Sequence, residues 1–335
     1  MLFSMNSAAH IFMDKVKIGI IGTGYIGNVH ARIFSRDERA EVAALYDIKP
    51  ERAEKTARVV GGRVCGSREE LFENCDAVLV TTPNKTHTEI AAHAVEAGKH
   101  VFCEKPFSIG LGDAGKLLEI SEKGSGVFQV GHNRRYAPVY AKLKELLKED
   151  KAHSAHIKMN RGELKNPVWT GDTNVTGGFL YETTIHLFDM IRFQFGEIEE
   201  LIAYGSQHEY PELDEFSIIF KFKSGFHCTF ASSSDASWHF PFERIEVFCH
   251  HRTIMTQEME HLIDSRGMDA NYETLSWAMT EKEERWGYVQ EDKAFVDAIL
   301  EGTKPPVTAL DGYKSIELVE SVYRAIRTGE RIRFE

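Results

Sequence analysis

The sequence predicts an α/β chain: an N-terminal doubly wound parallel sheet, then an α+β domain built on a large, mostly antiparallel open sheet. Three observations predict it. Short β-branched runs alternate with helical stretches from Val16 to Val130, a glycine-rich turn follows the first run directly, and after Glu149 the text changes to strands joined by turns. A length of 335 residues is also enough for two domains. The first half is thus of the Rossmann type, with its ligand outside the carboxyl ends of the strands.

The elements follow in order. VKIGII from Val16 is the first strand, with a helix from about Tyr25; EVAALY precedes a helix from Pro50; DAVLV precedes a helix from Thr86. HVFC at His100 to Cys103 and GVFQV at Gly126 to Val130 continue the sheet, with a helix from about Gly112 to Lys123 between them. A further helix runs from Ala137 to about Glu149. HSAHIKMN, IEELIAYGS, FSIIFKFKSG, FHCTFASSS, RIEVFCHH and RTIMTQE then read as strands, with one helix inside the series near Leu180 to Phe195 and a hairpin turn at Lys223 to Gly225. Their alternation implies one buried face and one left for a cofactor or a partner subunit. Helices at about Tyr288 to Glu301 and Tyr313 to Thr328 close the chain. The expected division is a loose leader over residues 1–15, with Met13 a second candidate start, a nucleotide-binding domain over 16–135, and a substrate-binding and oligomerisation domain over 136–335 whose terminal helices pack back on the first.

Composition excludes several classes. The balance of 40 basic against 51 acidic residues, with no long basic run, suits neither nucleic acid nor an anionic membrane. No stretch of 18 apolar residues is present. Five cysteines, without a C-x-x-C pair, form neither a disulfide framework nor a zinc ribbon and place the chain in a reducing cytoplasm.

Gly22, Thr23, Gly24, Tyr25, Ile26 and Gly27 spell G-x-G-x-x-G between a strand and a helix. That pattern turns the chain tightly, bares the backbone to a pyrophosphate and lets the helix press on the strand. Twenty residues beyond Gly27 stands Asp47, placed to accept from the adenosine ribose hydroxyls and to repel a 2′-phosphate, which favours NAD over NADP. Lys49 and Arg52 beside it soften that preference.

Two clusters carry candidate chemistry. Lys105, between Glu104 and Pro106 at a strand end, can hold an ammonium over a substrate oxygen. Glu182 and His186 are four residues apart and share a helix face, with Asp189 nearly one turn on, so a carboxylate can orient an imidazole. A histidine with an ordinary pKa of about 6.5 suits the removal of an alcohol proton near neutrality. Each feature also has a plain structural reading: a solvated loop lysine, and a satisfied core or capping histidine.

Together these residues resemble the family named for glucose-fructose oxidoreductase and inositol dehydrogenase, Gfo/Idh/MocA, over nearly the whole chain. The likeness runs through Gly22 to Gly27, TTPNKTH at Thr81 to His87, the Glu104, Lys105, Pro106 triplet, GHNRRYAP at Gly131 to Pro138, the helix GG-x₃-E-x₃-H-x₂-D, and FVDAILEG and PPVTALDG near the end. The resemblance implies a sugar, sugar phosphate or cyclitol held over the nicotinamide of NAD, with Lys105 and His186 catalytic and Glu182 where the family usually carries aspartate. It implies cofactor contacts from Thr82, Pro83, Asn84, His87, Glu104, Lys105 and Arg134, with Lys85 and Arg135 beside them. Candidates to meet substrate hydroxyls are Asn160, Arg161, Trp169, Asp172, Asp189 and His156. It also implies a homodimer or homotetramer through the second sheet.

Rival readings differ in chemistry. A zinc enzyme would need a histidine or cysteine pair, and the Glu182, His186, Asp189 spacing supplies none. An enzyme that oxidises a sugar transiently to cleave or eliminate, or a non-catalytic NAD-binding sensor, would share the cofactor site. An intact Lys105, Glu182 and His186 set is more than a sensor requires.

Overall fold

The computed structural model describes residues 15–161, 168–237, 242–268 and 271–334. The expected leader lies outside them apart from Lys15. The first half contains β1 (Val16–Ile21), α1 (Tyr25–Phe34), β2 (Ala40–Tyr46), α2 (Pro50–Val60), β3 (Arg63–Val64), α3 (Arg68–Glu73), β4 (Ala77–Val80), α4 (His87–Glu96), β5 (His100–Glu104), α5 (Leu111–Lys123) and β6 (Phe128–Gly131). The strands form one parallel sheet in the order β3-β2-β1-β4-β5-β6. All four residues of β4 are buried, and only Lys17 of β1 is exposed, because helices cover both faces. The strand order reverses between β1 and β4, which opens a crevice at their carboxyl ends.

The second half contains α6 (Pro138–Leu146), β7 (Ser154–Asn160), α7 (Thr173–Thr176), α8 (Ile185–Phe195), β8 (Ile198–Ser206), β9 (Glu215–Phe222), β10 (His227–Ser233), β11 (Glu243–Cys249), β12 (Arg252–Gln257), β13 (His261–Arg266), β14 (Tyr272–Ser276), α9 (Lys282–Arg285), α10 (Tyr288–Glu301), α11 (Ala309–Thr328) and β15 (Ile332–Arg333). Its nine strands run β14-β13-β12-β11-β7-β10-β9-β8-β15, antiparallel except where β7 meets β10. Burial alternates along β9, β10 and β11, so one face packs inward and the other is open. Phe188 of α8 fills the inner face against Phe220 and Phe230, with ring centroids 5.7 and 5.2 Å away. The outer face shows Tyr204 and Ile219.

The predicted fold class is the one observed, with local differences. β3 is only two residues long, too short for a periodic signal, and the Lys223 to Gly225 turn does join β9 to β10. α6 stops at Leu146, and α11 begins earlier than read because Thr308 and Asp311 form a capping box. β13, β14 and β15 extend the second sheet beyond the strands read from the text. The terminal helices bind the two halves together: Phe295 and Val296 of α10 join Ile18, Ile20, Phe34 and Phe102 in one core, and α11 packs on both α5 and α8.

Several ion pairs span the halves, among them the buried pair of Arg134 with Glu243. Arg134, 2% exposed, donates Nε and Nη2 to Glu243 Oε2 at 2.9 and 2.7 Å, and Tyr140 donates its hydroxyl to Oε1. Glu243 is 0% exposed, so its removal strands a guanidinium away from water. Glu243→Gln should therefore lower the unfolding free energy by about 3–5 kcal/mol in urea titrations. A loss under about 1 kcal/mol would show that the pair is not holding the halves together.

Candidate active site

The glycine turn at the crevice is shaped by close approach. A Cβ on Gly27 would lie 2.1 Å from the Gly22 carbonyl oxygen, and Gly22 itself has φ +94° with Thr81 O only 2.8 Å from such an atom. Gly24 differs: nothing lies within 4 Å of its added Cβ, and α1 begins there without a side-chain cap. Space is therefore open beside Gly24, at a helix start whose first N–H groups have no side-chain cap, which suits an anion. Tyr25 is exposed and Ile26 half-buried. Thr23 donates its N–H and hydroxyl to Asp47 Oδ2 at 2.8 and 3.2 Å, and Lys49 N donates to Oδ1 at 2.9 Å, so the acid is fixed at the edge of the cradle. These residues fit a dinucleotide with its pyrophosphate on the turn and a ribose at Asp47.

The loop after β4 forms the opposite wall. Thr82 shares a hydroxyl hydrogen bond of 2.7 Å with Thr86, while Pro83 and Lys85 are exposed. His87 is buried with its two ring nitrogens 2.7 Å from the carbonyl oxygens of Pro106 and Thr82, so it ties this loop to the turn after β5 rather than facing the cleft. The Lys105–Pro106 bond in that turn is cis. Glu104 likewise faces inward: its carboxylate meets His30 Nε2 and accepts from Lys105 N, each at 3.1 Å, and His30 Nδ1 lies 2.7 Å from Asp292. With both acids beside it, His30 is held well above its ordinary pKa despite complete burial.

Lys105 reaches the second half of the chain. Its Nζ donates to the carbonyl oxygen of Glu182 at 2.7 Å and lies 3.9 Å from Glu182 Oε1. Glu182 sits in a π-helical turn, Leu180–Thr184, that leads into α8. Its carboxylate accepts from Asn84 Nδ2 at 2.7 Å, and the same amide donates to Thr176 O at 3.1 Å. The expectation that Glu182 orients His186 is thereby corrected: the carboxylate points across the crevice to Asn84. His186 is half-buried, and its Nδ1 is enclosed without a hydrogen-bond partner among the described residues. Burial first, then the charges of Arg134 and Lys105 with His132 and Arg161, push its pKa well below the ordinary value, so the imidazole is neutral at pH 7.

Other expected contacts are displaced. Arg134 is committed to Glu243, and Asp189 is buried against Arg135 Nε and Nη2 at 2.7 and 2.6 Å, so neither side chain faces the crevice. Asp172 caps α7 through Asn174 N at 3.0 Å. His156 lies on the outer face of the second sheet, 2.6 Å from Thr229 Oγ1, because the alternation of β7 turns it away from the helices. Asn160 ends β7 and Arg161 follows it, with the Arg161 guanidinium 4.9 Å from the Phe242 ring and 5.6 Å from that of Trp286. The Trp169 side chain is outside the described residues. Among the described residues no group of three His, Cys, Asp or Glu side chains is placed to hold a metal ion, and no helix is long and apolar enough to cross a membrane. Residues missed from the sequence are Glu243 and Trp286, neither of which carries a local motif, and His132, which lies within GHNRRYAP but is not singled out by it.

Comparison with known proteins agrees with this geometry. Residues 16–132 match the model of an oxidoreductase family with an NAD-binding Rossmann fold, and residues 140–255 match the Gfo/Idh/MocA C-terminal domain. The chain is 29% identical to the myo-inositol 2-dehydrogenase of Thermotoga maritima, covering 96% of this chain and 99% of that one. It is 34% identical to the glucose-6-phosphate 3-dehydrogenase of Bacillus subtilis, over 53% of each. A levoglucosan dehydrogenase solved with NADH and levoglucosan has the same fold, with a TM-score of 0.86 at 20% identity, covering 96% of this chain and 99% of that one. The chain belongs to the Gfo/Idh/MocA family of NAD-binding oxidoreductases.

Proposed function

We propose that this protein is a dehydrogenase of a sugar or cyclitol that oxidises one secondary alcohol to a ketone with NAD. The observation that carries the reading is the pairing of an ammonium with an unprotonated imidazole: Lys105 Nζ rests on the backbone of Glu182, one helical turn before the neutral His186. When bound, NAD supplies the acceptor for the hydride that leaves the carbinol carbon. His186 takes the hydroxyl proton, with Nε2 as the nitrogen left to meet substrate because Nδ1 is enclosed. Lys105 stabilises the negative charge that develops on the substrate oxygen. Glu182 and Asn84 hold the two walls of the crevice in register, and Asn160 and Arg161 are the residues we expect to read further substrate hydroxyls. The outer sheet face with Tyr204 and Ile219 is the surface through which we expect the chain to form a homodimer or homotetramer. The five cysteines, all buried and unpaired, are compatible with a reducing cytoplasm.

NADH formation measured by absorbance, with NAD or NADP against a panel of inositols, aldoses and sugar phosphates, tests the reading. Sustained reduction by one member, faster with NAD, is expected; silence throughout, from protein that binds NADH, would overturn it. Lys105→Ala should lower kcat about a hundred- to a thousandfold, and His186→Ala by a similar or larger factor, with NADH affinity nearly unchanged. Near-normal turnover removes the residue concerned from the mechanism. Because the His186 pKa is depressed, its neutral form persists on acidification, so kcat/KM for oxidation should stay level down to about pH 6.5 and fall only below it. An acid limb centred above that pH would contradict a depressed His186. Gly24→Ala should weaken NADH binding at least about tenfold with little change in melting temperature, whereas Gly27→Ala should destabilise the fold itself. Equal melting temperatures for the two variants would contradict the close approach at Gly27.

A further inference from the structure

The segment between β14 and α10 lies against the start of α1, although the two are separated by about 250 residues of chain. It is fixed at both ends. Trp277 N donates to Glu260 O at 2.7 Å, Arg285 Nη1 donates to Ala278 O at 2.7 Å, and Arg285 Nη2 pairs with Glu260 at 3.2 Å. At the far end Asn133 Nδ2 donates to Trp286 O at 2.9 Å, and Gly287, with φ +88°, sits so close to the turn after β6 that a Cβ would lie 2.3 Å from Asn133 O. Between these anchors the exposed Lys282 donates Nζ to Tyr25 Oη at 3.1 Å, with the Trp286 ring centroid 4.5 Å away. Glu283 beside it is drawn off toward Arg32, 4.0 Å distant, further along α1.

Tyr25 is the first residue of α1, directly after the open position at Gly24. The first turn of α1, Tyr25 to Asn28, holds no charged side chain and no side-chain cap, so its N–H groups supply donors but no full positive charge for a group that carries two negative ones. We propose that Lys282 is a ligand of the cofactor pyrophosphate, contributed by the second half of the chain to the glycine turn of the first. A lysine ammonium is a compact, rotatable point charge, suited to a diphosphate reached from one side. The hydroxyl of Tyr25, the residue that follows Gly24, and the Trp286 ring hold that ammonium, so its long side chain is positioned before the cofactor arrives. The cofactor then lies between the backbone donors of α1 and a cation on the anchored segment.

The inference rests on NAD binding and is independent of the substrate, so it is tested without turnover. Wild type, Lys282→Ala and Lys282→Arg are titrated with NADH by fluorescence, and bound NADH is displaced with ADP-ribose or with adenosine. Lys282→Ala should weaken NADH and ADP-ribose about tenfold at low ionic strength, less at about 0.5 M salt, and leave adenosine within about twofold. Lys282→Arg should stay within about threefold of wild type for all three ligands. Unchanged NADH affinity in Lys282→Ala would overturn the proposal. So would an equal loss for adenosine, or an Arg variant as weak as the Ala variant, since either assigns the effect to packing of the segment.

Discussion

The site depends on one hydrogen bond between the halves of the chain, from Lys105 Nζ to the Glu182 carbonyl oxygen at 2.7 Å. Each partner is held independently. Lys105 follows a strand whose end is pinned by Glu104 to His30 and by His87 to the Pro106 carbonyl. Glu182 belongs to a π-helical turn, an irregularity that often marks a functional position, and its side chain is drawn across the crevice by Asn84. The ammonium is therefore presented at the mouth of the crevice next to the helix that carries His186, and the chemistry proposed for the pair follows from that placement.

Electrostatics around His186 reinforce the arrangement. Lys105, Arg134 and Arg161 all act on it as cations, and burial acts in the same direction, so the ring stays neutral where a solvated histidine would begin to charge. The cost of keeping so many cations near one another is offset locally: Arg134 is neutralised by Glu243, and Arg135 by Asp189 and Asp311. Those pairs also join the turn after β6 to β11, α8 and α11, so Arg134, one of the charges that act on His186, also helps to lock the two halves together.

Much of this was legible in the sequence, and the exceptions have a common cause. The parallel sheet was readable because AVLV at Ala77 to Val80 and its neighbours are apolar on both faces, and the glycine turn because only glycine tolerates a 2.1 Å approach at Gly27. The second sheet was readable from alternation, but alternation does not say which face is which, and His156 falls on the outer one. Partner choice was not legible. Glu182 and His186 share helical spacing, yet Glu182 bonds Asn84, 98 residues away, and Arg134 reads as a cofactor contact until Glu243, 109 residues on, is brought against it. Local pattern encodes faces and turns; long-range pairing emerges only from the packed topology.

Net oxidation of an alcohol across this crevice is what the proposed function requires, and isotope transfer measures it. With a sugar or cyclitol substrate deuterated at the carbinol carbon, deuterium should appear in the released NADH, mole for mole, with the ketone accumulating and a primary isotope effect on single-turnover reduction. Deuterium returned to a cleaved or dehydrated sugar, with no net NADH, would contradict it and show that the oxidation is only transient.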